Sequence, residues 1–205
     1  MSQRLFSWGA CSLAGIVVVL LVSGCGDEGG VTEPPVVSLL AAGWDRFADA
    51  DYAGAIEKFE DAVRSDGSLG DGHNGLGWCY LRLDSLDIAL AEFQAAVAKG
   101  FTEAGAQAGR CLILNRIDEY RQAVFAGGAV LEIDPLFELE ADPTIDVRDV
   151  RLAMAQSYLA LGEYEEALGQ IMVVDSSIRI NPHSATFVSE LIAAIEDLTA
   201  DLVIY

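Results

Sequence analysis

The chain has 205 residues, 52% of them hydrophobic, and sets 32 acidic against 12 basic side chains for a formal charge of −20. That length and apolar share suffice for one domain with a sizeable core. The charge repels phosphate backbones and anionic headgroups, which argues against nucleic acid and against electrostatic docking on a membrane; spread along the chain, it suits a solvated surface.

The first element runs from Leu5 to Val22 without an ionisable side chain except the thiol of Cys11, and only Arg4 precedes it. A short positive start and an apolar core build an export signal. A transmembrane anchor competes, because about 18 apolar residues is the lower limit for spanning the hydrocarbon core. Ser23 and Gly24 then place two small residues before Cys25. The stretch "LVSGC" resembles the lipobox of bacterial lipoproteins. That resemblance implies removal of residues 1–24 and acylation of Cys25, by palmitate or a similar chain, as the first mature residue. The mature chain would keep 11 basic and 32 acidic residues, a charge of −21. Residues 25–35, ending "GDEGGVTEPP", lack hydrophobic periodicity and are expected to form a flexible linker. Gly26 is not the aspartate that holds enterobacterial lipoproteins at the inner membrane, so the resemblance favours an outer-membrane anchor facing the periplasm.

Beyond the linker the chain repeats itself. "GWDRFADADYAGAIEKFEDAV" lies over "GWCYLRLDSLDIALAEFQAAV" without gaps: Gly43 on Gly77, Trp44 on Trp78, Ala55 on Ala89, Phe59 on Phe93, Ala62 on Ala96, each pair 34 residues apart. A third copy keeps the interval through Cys111, Leu112, Tyr120, Ala123, Val130 and Pro135. A fourth is displaced, Ala167 lying 44 residues after Ala123. Such a period governs the fold. Within each copy, apolar and small residues recur at helical spacing in two runs split by a polar break ("ADAD", "RLDS", "NRID", "LGEY"), which makes each a helix hairpin. Gly43, Gly77, Cys111 and Ala155 let the paired helix approach; Tyr52, Tyr120 and Tyr164 fill the gap beside it. One hairpin cannot bury both faces, so neighbours must stack.

This pattern resembles the tetratricopeptide repeat, over residues 36–182. The resemblance implies an all-α fold: a right-handed superhelical solenoid of about four hairpins (about 36–69, 70–103, 104–137 and 148–181) with an insertion at 138–147. In the third copy Arg110 replaces Leu76 and Gly127 replaces the aromatic, so that hairpin is expected to pack least tightly. The last element, residues 183–205, carries Phe187, Leu191, Ile195, Leu198 and Leu202 on one stripe behind a candidate N-cap, Ser184, and reads as a capping helix. A partner-binding or self-docking helix is the alternative.

Two cysteines remain outside the signal and the lipid site. Cys111 lies two residues before the repeat equivalent of Cys79, about 200° around its helix, so the thiols should not bridge. His73 and His183 have no partner at ligand spacing, so no metal site is read. The glycine-rich "DGSLGDGHNGLG" lacks the lysine of a phosphate loop and is a turn with a helix start. "FELEADPTID" gathers Glu138, Glu140, Asp142 and Asp146; a solvated acidic loop is favoured over a hard-cation site. No nucleophile sits beside an evident base, so neither catalysis nor a cofactor is expected.

What the pattern offers is a surface. In resembling proteins the first helix of each hairpin lines a concave groove, and here those positions include Leu40, Trp44, Phe47, Trp78, Leu81, Arg82, Leu112, Asn115, Arg116, Gln156 and Leu159. Trp44 and Trp78 would stack one repeat apart as a rigid aromatic anchor. Buried core is the competing place for them. The lysine and asparagine set that clamps a C-terminal carboxylate in some tetratricopeptide domains is missing. The reading is a lipid-tethered, non-enzymatic adaptor that holds a protein or peptide of the bacterial envelope. The alternative is a transport accessory that captures a small apolar molecule in the same groove.

Overall fold

The computed structural model describes residues 35–200. The signal, Cys25, most of the linker and Leu202 lie outside the described residues. The described chain forms helices α1 (Pro35–Ala48), α2 (Tyr52–Ser65), α3 (Gly70–Arg82), α4 (Leu86–Ala98), α5 (Ala104–Arg116), α6 (Tyr120–Ile133), α7 (Val147–Leu161), α8 (Tyr164–Val174) and α9 (Phe187–Ala200). Among the described residues the only β pairing is an isolated bridge between Glu138 and Asp146, and no helix is long and apolar enough to cross a membrane.

The repeat is visible in backbone chemistry. Each hairpin turn closes with the same hydrogen bond: Asp51 N to Arg46 O (2.9 Å), Ser85 N to Tyr80 O (2.9 Å), Glu119 N to Leu114 O (2.8 Å) and Glu163 N to Tyr158 O (2.9 Å). The turn needs one left-handed residue, supplied by Ala50 (φ 59°), Asp84 (56°), Asp118 (64°) and Gly162 (78°). Only glycine accepts that conformation without a Cβ penalty, and aspartate tolerates it better than alanine.

The second helix of a hairpin drives a phenylalanine ring between two first helices. Phe59 meets Gly43 of its own hairpin and Gly75 of the next, where a Cβ would lie 2.5 and 2.4 Å from the ring. Phe93 repeats this against Gly77 and Gly109, at 2.7 and 2.2 Å. Gly43 and Gly77 were expected to admit the paired helix; Gly75 and Gly109 were not foreseen and admit the following one. In the third hairpin the ring is absent and Met154 of α7 fills its space, a Cβ on Gly127 coming 2.5 Å from the Met154 Sδ. The gap anticipated there is thus occupied from the neighbouring hairpin by a flexible thioether.

The first helices touch in series, α1 to α3, α3 to α5 and α5 to α7, while α2, α4 and α6 make no such contacts with one another. The first helices are therefore the inner layer of a solenoid. One apolar cluster runs from Phe47 to Met154 through the first three hairpins; a second joins α7, α8 and α9 through Leu152, Ile171, Phe187, Leu191 and Ile195. The α9 helix starts three residues after Ser184, its first turn closing from Glu190 N onto the Thr186 carbonyl (2.9 Å), so Ser184 is not its cap. Cys79 and Cys111 are free and fully buried, and burial pushes both thiols up to about 12.

The connection from α6 to α7 departs from the sequence expectation. Instead of a solvated loop it is a folded strap: Leu139 N bonds Ile145 O (2.9 Å) and Val147 N bonds Phe137 O (2.8 Å). Phe137, Leu139 and Ile145 are buried in the main cluster, Ile145 completely. The alternating sequence explains the outcome, since Glu138 and Glu140 stay exposed while their neighbours turn inward. Asp142 pairs with Arg82 of α3. Burial opposes ionisation of Asp142, but hydrogen bonds from Thr144 and Arg82 outweigh it and hold the carboxyl below its usual range.

Candidate functional site

The inner layer and the strap border an open cavity of about 740 Å³. Its walls are Trp44 and its neighbours on α1, Asp71 and Asn74 on α3, the start of α5 from Glu103 to Gly105, the end of α6, and the strap from Phe137 to Ala141. The cavity sits at the first hairpin, where no other described hairpin precedes α1 to cover it.

Of the residues expected in the groove, Trp44 alone lines this cavity. Its ring is held edge-on by Phe47 (5.7 Å) and Phe59 (5.0 Å), and its indole N–H donates to the Asp71 carboxylate. The expected stacking with Trp78 does not occur. Trp78 is 0% exposed and packs edge-on against Phe93 at 5.3 Å. The two tryptophans are equivalent in the repeat but not in space: Trp78 has hairpins on both sides, so neighbouring helices bury it. Leu81 and Leu112 are buried core for the same reason; Phe47, on α1, is buried within its own hairpin against Trp44 and Tyr52, and Leu40 packs half-buried against the core.

The polar residues expected in the groove fasten elements to each other. Arg82 holds the strap through Asp142. Asn115 donates to the Ala153 carbonyl (3.1 Å) and the Ser157 hydroxyl (3.0 Å), clipping α5 to α7. Arg116 is exposed and reaches Asp84 at 2.8 Å. Gln156 donates to the Thr199 hydroxyl (3.1 Å), and with Leu159 it borders a separate hollow of about 420 Å³ against α9.

Sequence reasoning singled out Glu138 and Glu140 in the acidic insertion but missed the other residues that give the cavity its character. Six carboxylates line it, Asp45, Asp71, Glu103, Asp134, Glu138 and Glu140, and no basic side chain among the described residues does. Burial raises the Asp71 pKa against the lowering effect of the Trp44 bond, and Glu103 adds to the rise. Asn74 is 4% exposed and its Oδ1 has no hydrogen-bond partner among the described residues. The available signals were acids recurring at the ends of elements, at Asp45, Asp71 and Glu103, but nothing in linear order brings them to the strap. Among the described residues no group of three His, Cys, Asp or Glu side chains is placed to hold a metal ion.

No protein-family model and no curated protein matches the chain. Solved structures do. YrrB, described as a tetratricopeptide-repeat protein with an unusual peptide-binding site, is similar with a TM-score of 0.62 at 13% identity, over 82% of this chain and 89% of that one. MamA is similar with a TM-score of 0.59 at 15% identity, over 81% and 87% of the two chains. TTC0263, a thermophilic tetratricopeptide-repeat protein of Thermus thermophilus, has a TM-score of 0.52 at 18% identity, over 82% and 83%. At these identities the likeness establishes the fold: an all-helical solenoid of tetratricopeptide type.

Proposed function

We propose that the protein is a non-enzymatic adaptor that is tethered to the bacterial envelope, at the outer membrane, through acylated Cys25 and binds a protein segment in the cavity beside Trp44. The observation that carries the reading is that cavity: an inner-layer hollow with one half-buried tryptophan and open polar groups, in a solenoid with no evident catalytic pairing among its described residues. YrrB, similar in fold, is described as having a peptide-binding site, which supports a peptide as the occupant. The tether rests on the lipobox-like "LVSGC".

Two measurements test the two halves. For the cavity, a photo-crosslinking residue is placed in cells at Ala41 or Ala48, exposed positions on the cavity wall, and at Val173, exposed on α8 away from it. A discrete protein adduct from 41 or 48 and none from 173 is expected. Absence of any adduct from the cavity positions refutes the adaptor. For the tether, Cys25→Ala should abolish acylation and release the chain from the membrane fraction; an unchanged membrane-bound mass leaves an uncleaved anchor instead. A second reading, capture of a small molecule, is favoured by the volume alone, which lies in the range of ligand pockets. Native mass spectrometry of the purified chain would detect such a ligand as a stoichiometric mass increment.

A further inference from the structure

The identity of the occupant follows from the chemistry of the walls, taking the adaptor reading as its premise. Among the described residues, six carboxylates and no cation line one hollow of about 740 Å³. The side chains of four of them, Asp45, Glu103, Glu138 and Glu140, enter no ion pair and accept no hydrogen bond from any other described residue. Arg46, Arg82 and Arg116 are committed elsewhere, to Asp51, Asp142 and Asp84. An acidic surface alone would mean only solvation. Two further features indicate a ligand.

The first is the Trp44 ring, whose edge-on packing against Phe47 and Phe59 leaves it part of the cavity wall. An indole among carboxylates is an environment in which a guanidinium or ammonium gains from both cation–π attraction and ion pairing. The second is Asn74, more than nine-tenths buried, with an acceptor oxygen that no described residue satisfies. A buried polar atom without a partner is costly, so Asn74 gains from any donor that an occupant brings against this wall. Gly105 lies beside Asn74, where a Cβ would stand 3.4 Å from that oxygen in ordinary contact. A peptide N–H supplies such a donor, and a basic side chain on the same segment supplies the charge.

We infer that the cavity receives a basic segment of a partner protein, with an arginine or lysine side chain laid on Trp44 among the carboxylates and a backbone N–H donated to Asn74. The net charge of −20 gives such a segment long-range attraction as well, so the test must separate site from field.

Fluorescence anisotropy of a labelled Ala-Arg-Ala-Arg-Ala-Arg peptide is measured against full-length protein in neutral detergent. Two triple variants with the same charge change are compared: Glu103→Gln/Glu138→Gln/Glu140→Gln in the cavity and Glu60→Gln/Glu165→Gln/Glu166→Gln on exposed positions elsewhere. All six side chains are exposed, so neither variant disturbs the core. A loss of about tenfold or more in affinity for the cavity triple, with a change below about threefold for the control, is the expected result. Equal losses mean attraction to the overall field and overturn the inference. No binding at all also overturns it. Equal binding of an all-glutamine peptide overturns the basic preference while leaving the adaptor standing, and spermidine binding as tightly as the peptide, with the same dependence on the triple, makes the occupant a free amine rather than a protein. Loss of the in-cell adduct at 41 and 48 with the peptide result intact would remove the adaptor instead.

Discussion

Single positions reveal where the repeat is under constraint. Gly109 has no room for a methyl group, since a Cβ would fall 2.2 Å from the Phe93 ring. Gly109→Ala should therefore destabilise by about 1–3 kcal/mol through overpacking, read from a denaturant midpoint shift with the slope unchanged. Ala50 is the opposite case, holding φ 59° in a turn that uses glycine in the fourth copy. Ala50→Gly should stabilise by up to about 1 kcal/mol, because the removed Cβ strain exceeds the entropy that glycine adds to the unfolded chain. A midpoint that fell for Ala50→Gly, or stayed put for Gly109→Ala, would contradict these assignments. Of the two features only the turn is legible in the sequence, as a polar break between helical runs. The ring behind Gly109 belongs to the preceding hairpin and leaves no local trace.

At the scale of elements, the strap and the helix it leads into carry the departures from expectation. Ile145 is 0% exposed, so Ile145→Ala should cost about 2–4 kcal/mol, far more than an exposed loop would permit, and loosen the strap over Arg82. Denaturation melts check the cost, and a loss within about 0.5 kcal/mol would mean a solvated loop after all. The start of α7 is closed by a reciprocal cap in which the Asp146 side chain accepts from Arg148 N (2.6 Å) and Asp149 accepts from Asp146 N (2.7 Å). The helix N-terminus favours a charged Asp149, but burial dominates and raises its pKa from the ordinary 3.8 to about 6. Between those values the folded chain holds the extra proton, so this carboxyl's contribution to stability falls as pH rises through that window. Asp149→Asn keeps an acceptor and removes the titration. The melting temperature of the native chain should thus drop relative to the variant between pH 4 and about 7, whereas parallel curves would refute the assignment.

For the whole molecule the governing influence is charge. With 32 acidic and 12 basic side chains, compaction works against self-repulsion, and the exposed ion pairs, such as Arg64 with Asp61, offset little of it. Raising sodium chloride from about 20 to about 500 mM should therefore raise the melting temperature by about 2–4 °C, by screening. A fall would mean that the ion pairs outweigh the repulsion. The same field concentrates cations near the first hairpin, where the carboxylates of α1, α3 and α5 face those of the strap.

The sequence by itself determined the helices, their hairpin pairing and the 34-residue translation, because these follow from periodicities that each copy carries locally. It also put the cysteines out of register for a bridge. Tertiary structure decided what the copies do not share. Trp44 and Trp78 are interchangeable in the repeat, yet one lines a cavity and the other is core, because burial depends on how many hairpins lie alongside. The acidic insertion looked solvated by composition, but its three alternating apolar side chains find a surface only once three hairpins are stacked. The candidate site is made where the insertion meets the first hairpin of the array, and that meeting is written in no single stretch of the chain.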